Sequence, residues 1–262
     1  MKRFDFAKMV ASGNDFIVVD NRKKAFPDKN RTLIQELCRF HTGIGADGLL
    51  LLENSKNADF RMRIFNPDGS EPTMCGNGAR CIGSFAHSLK LVNKKYRFET
   101  GAGILNGEIV GKEMVKIFMG QPKNIKLHIS AKIAGKQNKI HSINTGVPHA
   151  VIFFNNIEKA DVASIGQEVR YSDIFKPEGT NVNFVQILGG DCIAIRTYER
   201  GVEAETLACG TGSTASALVS ALLHGLKQKI KVKTKSGETL IVDTKEISLT
   251  GPARVVFSGK IN

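Results

Sequence analysis

Cys75-Gly76-Asn77-Gly78 recurs as Cys209-Gly210-Thr211-Gly212, and 209 − 75 = 134, about half of the 262 residues. A phrase repeated at that spacing constrains the chain to two similar halves. The period is far longer than the roughly 20–50 residues of a solenoid repeat. Other landmarks recur at an offset of 133 or 134. Gly13 returns as Gly146, Asp47 falls against Asn181, Asn66 against Glu199, and Gly103 against Gly237. Near the ends, Lys116–Gly120 resembles Val255–Gly259 at a slightly larger offset, as a loop insertion would give. The expectation is an internal duplication, with a cleft between the halves that carries the active site.

A chain of this length makes one large or two modest domains, and the repeat favours two. The boundary falls at Gly120-Gln121-Pro122, giving residues 1–119 with 251–262 returning to them, and residues 120–250. The start of the chain lacks the apolar core of a signal peptide. The longest aliphatic run, Leu49–Leu52, is too short to cross a membrane. Five cysteines, an odd number without framework spacing, point to free thiols in a reduced, cytoplasmic protein. Net charge is +12, but the lysines are scattered. The densest run alternates as Lys229-Ile230-Lys231-Val232-Lys233, the pattern of a strand with one solvated face. No nucleic-acid partner is expected from it.

Most of the chain reads as strands, such as 16–20, 49–53, 60–65, 114–119, 150–154, 183–188, 192–198, 240–242 and 254–257. These are β-branched or aromatic runs bounded by Gly, Asn, Asp or Pro. Three segments read as helices: Arg31–Phe40, Asn77 to about Lys90, and Gly212 to about His224. The last is apolar nearly all round and so should be buried. The fold class is therefore α/β (α+β): two pseudo-symmetric domains, each a mostly antiparallel β-sheet or barrel wrapped around a central helix.

The chemistry begins with the cysteines. Cys38, Cys81 and Cys192 read as small core hydrophobes. Cys75 and Cys209 differ, because each precedes Gly-X-Gly and then a helix. Free N–H groups and the helix dipole there favour negative charge. They lower a thiol pKa and make a hole suited to a carboxylate. Two such starts facing one amino acid would set a sulfur on either side of its Cα. One thiolate can take the α-proton while the other thiol donates one. A metal site is disfavoured, since the Cys75–Cys81 spacing is not a usual ligand spacing and no second pair accompanies it. No cofactor motif is present.

Asn66 ends a strand in Asn66-Pro67-Asp68-Gly69, which also reads as a plain turn. Its counterpart is Glu199-Arg200. An Arg there can hold a carboxylate by two hydrogen bonds, and the Glu an ammonium; surface ion pairing is the blander reading. His149, at the position matching Asp15, is either structural or adjusts a nearby thiol.

These blocks resemble a known family. Gly13-Asn14-Asp15-Phe16, Gly43-Ile44-Gly45-Ala46-Asp47-Gly48, Phe65-Asn66-Pro67-Asp68-Gly69, Cys75-Gly76-Asn77-Gly78-Ala79-Arg80-Cys81, Tyr198-Glu199-Arg200-Gly201 and Glu205–Gly212 are similar to diaminopimelate epimerases, in family order. The resemblance implies a cofactor-independent epimerase that interconverts LL- and meso-diaminopimelate for lysine and peptidoglycan synthesis. It implies that Cys75 and Cys209 are the acid–base thiols, and that Gly76, Asn77, Gly210 and Thr211 line the reacting carboxylate. Asn14, Asn66, Asn181, Glu199 and Arg200 would hold the rest of the substrate, and His149 and Glu199 would tune the thiols. It further implies a homodimer, with the segment around Phe257 as a contact. Two positions depart from some members: Gly48, where they carry Gln, and Val147, where they carry Asn. The alternatives are a histidine- or proline-type racemase on the same scaffold and a non-catalytic amino-acid-binding protein.

Overall fold

The computed structural model describes residues 3–261; Met1, Lys2 and Asn262, counted above in the N-terminal half, lie outside the described residues. In chain order the elements are β1 (Phe4–Ala11), β2 (Asn14–Asp20), α1 (Arg31–Cys38), β3 (Gly48–Glu53), β4 (Phe60–Phe65), α2 (Gly76–Ser88), β5 (Lys95–Thr100), β6 (Gly103–Ile109) and β7 (Met114–Phe118). Then come β8 (Lys123–Ile133), β9 (Lys136–Asn144), β10 (Pro148–Phe153), α3 (Val162–Arg170), β11 (Asn181–Gly189), β12 (Cys192–Glu199) and β13 (Ala204–Thr206). The chain ends with α4 (Gly210–His224), β14 (Lys229–Lys233), β15 (Thr239–Asp243), β16 (Ser248–Pro252) and β17 (Arg254–Ile261). None of the described helices is long and apolar enough to cross a membrane.

The chain divides into two units, one of residues up to Phe118 with those from Thr250 onward, the other from Met119 to Leu249. In the first, β17, β1 and β2 pair antiparallel, as do β3 with β4 and β5 with β6 and β7 with β6. Two junctions are parallel, β2 with β3 and β4 with β5. The second unit repeats the plan. There β10 with β11 and β12 with β14 are parallel, and β8–β9, β9–β10, β11–β12 and β14–β15 are antiparallel. The sheet is open, so of the two forms expected it is the sheet and not the barrel.

Burial explains the strands. Leu49, Leu50, Leu51 and Leu52 are all buried, because β3 has a helix on each face. Leu49 and Leu51 join the cluster of Leu33, Ile34 and Leu37 from α1, while Leu50 faces Gly78 of α2. Alternation sends successive side chains to opposite faces, so a doubly covered strand reads as a continuous apolar run. Each buried leucine contributes about 2 kcal/mol. β14 has its lysines exposed and Ile230 and Val232 buried, as its alternation demands.

In the second unit α4 is the wrapped helix. Ala215, Ala217 and Val219 are buried, as are the hydroxyl residues Ser213, Thr214, Ser216 and Ser220, and Gly225 caps its end in the left-handed conformation (φ 62°). On the other sheet face lies α3, which the sequence reading did not include. It is nine residues long with Gly166 at its middle, and glycine weakens a helical signal. The glycine is needed there because an added Cβ would lie 2.5 Å from Tyr198 Cβ. α1 stops at Cys38, two residues before the expected end, and Phe40 is exposed. Cys192 is only half-buried at the start of β12, where a core position was expected.

Strand register corrects the sequence matching at three points. Phe16 pairs with Gly48 in the first unit, and His149 with Asn181 in the second. Leu50 approaches Gly78 as Asn183 approaches Gly212, so His149 stands where Phe16 does, and Asn181 where Gly48 does, one residue from the expected Asp15 and Asp47. A one-residue slip in a strand turns a side chain to the opposite face, so the distinction matters. The third correction concerns Lys116–Gly120 and Val255–Gly259. β7 pairs with β6, whereas β17 pairs with β1, so the two segments are not equivalent strands. β17 corresponds instead to β8, which pairs with β9 as β17 pairs with β1. The strand that follows each half is thus built into the other unit's sheet.

Candidate active site

Both singled-out cysteines are helix N-caps. Cys75 is extended (φ −142°, ψ 123°), and its Sγ accepts a hydrogen bond from the Gly78 N–H at 3.5 Å. Cys209 is likewise extended (φ −119°, ψ 114°), and its Sγ accepts from the Gly212 N–H at 3.4 Å. Thr211 Oγ1 lies 3.4 Å from the same sulfur. The cap residue of a helix satisfies otherwise orphaned N–H donors, and here a thiol takes the role usually held by Ser, Thr, Asp or Asn. Cys209 is buried and Cys75 half-buried.

The third residue of each helix must be small because the sheet lies against it. A Cβ on Gly78 would come within 3.1 Å of Leu50 Cδ2, and one on Gly212 within 2.3 Å of Asn183 Oδ1. This close approach seats each helix start at the sheet.

Around Cys75 a directed chain of amides forms. The fully buried Arg80 donates to Asn77 Oδ1 at 2.9 Å and to Ser12 Oγ at 2.8 Å, and also to the carbonyls of Gly76 and Pro252. With its oxygen held, Asn77 donates through Nδ2 to Asn14 Oδ1. Asn14 in turn donates to Asp47 Oδ2 at 3.0 Å. Asp47 also accepts from the Asp15 backbone N–H, and its own N–H donates to Asp15 Oδ1. Asp15 is paired with Lys8 at 2.7 Å. The structure therefore brings Cys75, Gly76, Asn77 and Asn14 together. Asn66 follows β4, exposed in a turn where its Nδ2 donates to Ser70 Oγ at 2.9 Å.

In the second unit, Gly210 and Thr211 open α4 behind Cys209. Thr145 Oγ1 donates to the Thr211 carbonyl at 3.0 Å, and the Thr145 N–H to the carbonyl of Val147. His149 and Asn181 are register partners, and Asn181 Oδ1 accepts from the Arg200 N–H at 2.9 Å. Glu199 is the last residue of β12, and its carbonyl accepts from the Glu203 N–H. The Arg200 side chain donates to the Glu178 carbonyl at 3.3 Å. His149 is wholly buried, and its pKa falls to about 3, chiefly because burial disfavours the charged ring and secondarily because of the Arg200 charge. Phe257 lies on β17, exposed, with its ring edge-on to Phe6 at 5.9 Å.

Arg80, Ser12, Thr145 and Asn183 were not foreseen. Arg80 sits inside the Cys75 block, but nothing in the sequence marks its charge as buried. Burial pushes the Cys38 thiol up to about 11, as befits an inert core residue. Among the described residues no group of three His, Cys, Asp or Glu side chains is placed to hold a metal ion.

The fold has solved relatives. A phenazine biosynthesis protein of the PhzF family from Bacillus anthracis superposes with a TM-score of 0.76 at 17% identity, covering 100% of both chains. A probable proline racemase from Agrobacterium radiobacter gives 0.72 at 17% identity, covering 99% of this chain and 93% of that one. At those identities the likeness concerns the fold. The sequence goes further. A protein family model described as diaminopimelate epimerase matches residues 6–125 and 141–256. The diaminopimelate epimerase of Chlorobaculum tepidum is 46% identical over 97% of this chain and 99% of its own length. That of Aquifex aeolicus is 42% identical, covering 98% of each. The protein is an enzyme of the isomerase class. The chain belongs to the diaminopimelate epimerase family.

Proposed function

We propose that this enzyme interconverts LL- and meso-2,6-diaminopimelate by moving a proton at one Cα, with Cys75 and Cys209 as the two acid–base groups. The observation that carries the reading is the identical placement of the two thiols. Each caps a helix through a bond from the N–H three residues on, at equivalent positions of the two repeated units. A single-nucleophile enzyme has no use for the second one.

The chemistry follows from the caps. A helix N-terminus stabilises a thiolate, and its free N–H groups bind a carboxylate. The thiolate takes the α-proton on one face of the carbon. The opposite thiol gives a proton to the other face, and the configuration inverts. The carbanion formed between those steps needs its charge spread onto the adjacent carboxylate. Fixed N–H donors of Gly76, Asn77, Gly210 and Thr211 supply that without reorganising during the reaction. The reading requires both thiols to reach the same Cα.

Asn14, Asn66, Asn181, Glu199 and Arg200 hold the remainder of the substrate, whose distal end is a second zwitterionic amino acid. A guanidinium beside a carboxylate side chain suits such a head. His149 and Glu199 adjust the thiols. The enzyme acts in the reducing interior of the cell, where neither thiol is oxidised, and dimerises through the segment around Phe257. Val255 and Val256 are exposed beside Phe257, which gives that strand an apolar face.

The test is deuterium incorporation at Cα in D₂O, under reducing conditions, with LL-diaminopimelate beside proline and histidine. Exchange with formation of the meso isomer, for diaminopimelate alone, is expected. Exchange only with another amino acid would keep the mechanism and replace the substrate. No exchange with any of them in folded, reduced protein would overturn the reading.

A further inference from the structure

The two units differ at one buried pair of positions. Val18 pairs with Leu50 in the first unit and Val151 with Asn183 in the second, and Leu50 approaches Gly78 as Asn183 approaches Gly212, so Asn183 stands where Leu50 does. By the same register His149 stands where Phe16 does. Phe16 and Leu50 are apolar and buried. His149 and Asn183 are polar and have no exposed surface. The scaffold accepts apolar residues at these places, and a polar pair is costly to bury unless fully bonded. Packing alone does not call for the exchange.

The Asn183 carboxamide uses its bonding capacity in a defined direction. Nδ2 donates to the Ala150 carbonyl at 2.9 Å and faces His149 Nδ1 at 3.1 Å. Oδ1 accepts from Thr197 Oγ1 at 3.0 Å. The Ala150 carbonyl fixes which end is nitrogen, since the opposite orientation would set oxygen against oxygen. A ring nitrogen that receives an N–H cannot carry its own proton. The proton of neutral His149 therefore sits on Nε2. That atom is buried and has no hydrogen-bond partner among the described residues. The carboxamide also packs against the Cys209 turn, at the Gly212 whose N–H donates to the Cys209 sulfur.

We propose that Asn183 is a positioning residue that holds His149 as the Nε2–H tautomer, so that His149 serves the site as a neutral hydrogen-bond donor to an anionic acceptor and not as a base. Two acceptors of that kind belong to the proposed reaction: the Cys209 thiolate and the substrate's α-carboxylate. The identity of the acceptor rests on the proposed function; the tautomer does not. Burial and the Arg200 charge act in the same direction, keeping the ring uncharged.

The experiment is two-bond ¹H–¹⁵N correlation of the histidine rings in uniformly ¹⁵N-labelled protein, with His149 assigned by its loss in His149→Gln. The expected result is a single Nε2–H tautomer from about pH 6 to 8, the range where an ordinary histidine titrates. An Nδ1–H ring or an imidazolium in that range would overturn the proposal. In Asn183→Leu, the residue the first unit carries, the tautomers should mix. There kcat should fall about a hundredfold with KM little changed, as for loss of a preorganised donor. Wild-type tautomer and kcat in the folded variant would sink it. Asn183→Asp should draw the proton to Nδ1, and an unchanged ring there would count equally against it. A shift of the Nε2 proton on adding LL-diaminopimelate to Cys209→Ala identifies the carboxylate as acceptor. A shift that follows Cys209 ionisation without substrate identifies the thiolate. Neither shift would overturn the donor role. Absence of any α-proton exchange, with the tautomer as expected, would remove the proposed function and leave the tautomer assignment standing.

Discussion

The hydroxyl of Thr145 donates to the carbonyl oxygen of Thr211 across 3.0 Å, tying the loop before β10 to the first turn of the Cys209 helix. Thr145 is buried, so this bond is shielded from water. Thr145→Val keeps the shape and removes the donor. Stability should fall by about 1 kcal/mol. Turnover should fall by about tenfold, since small misplacements of reacting groups are costly. Urea unfolding beside steady-state kinetics checks both. An unchanged kcat would show that the tether does not position Cys209.

The helix glycines make an asymmetric pair. Gly212→Ala sets a methyl 2.3 Å from Asn183 Oδ1, whose carboxamide is fully bonded and cannot retreat. Gly78→Ala meets a Leu50 methyl at 3.1 Å, the end of a flexible side chain. The first substitution should destabilise by about 2–3 kcal/mol and the second by about 1 kcal/mol or less. Equal losses in thermal unfolding would show that Asn183 moves freely.

Cys75→Ala and Cys209→Ala should each abolish epimerisation, by at least about a thousandfold, while circular dichroism and melting stay near wild type. Oxidant should inactivate the wild-type enzyme and reductant restore it. Near-normal turnover in either variant would mean that two-base proton transfer is wrong.

Acid should weaken the fold in a defined window. His149 is held neutral with its pKa lowered to about 3, and His141 to about 4, by burial and then by the charges of His128 and His224. The unfolded chain takes up these protons near pH 6.5, whereas the folded chain resists them. The folded pKa values are depressed, so the stabilisation is complete above about pH 6.5 and is lost as pH falls toward the folded values. Urea midpoints should decline from about pH 6.5 to 4. His149→Gln should flatten that slope. A flat wild-type profile there would contradict burial of the neutral rings.

Much of this was legible in the sequence, for physical reasons. Cys-Gly-X-Gly marks both helix starts, because tight approach and an N-cap leave few residue choices. The run Leu49–Leu52 announces a strand covered on both faces, and the Ala-rich α4 announces its own burial. Register was less visible. Strand equivalences run at an offset of 133 and the helix equivalences at 134, so one residue is added between Glu199 and Cys209 relative to the span from Asn66 to Cys75. Letter matching slipped by one at Asp47 and Asp15 for that reason, and the approach of Leu50 to Gly78 and of Asn183 to Gly212 fixes the pairing. The Arg80 chain and the Asn183–His149 pair were hidden, because their meaning depends on partners far off in sequence.

The exchange of last strands has a consequence for synthesis. β1 is made first, yet its outer neighbour β17 is made last, with Phe4 opposite Ile261. At ribosomal speeds of about 5–20 residues per second, the edge of β1 waits roughly 10–50 s for its partner. During that interval it offers unpaired N–H and C=O groups to any neighbouring nascent chain. The same arrangement means that the first unit cannot complete its sheet until β17 has been made, whereas the second, Met119–Leu249, is contiguous and waits for no later strand.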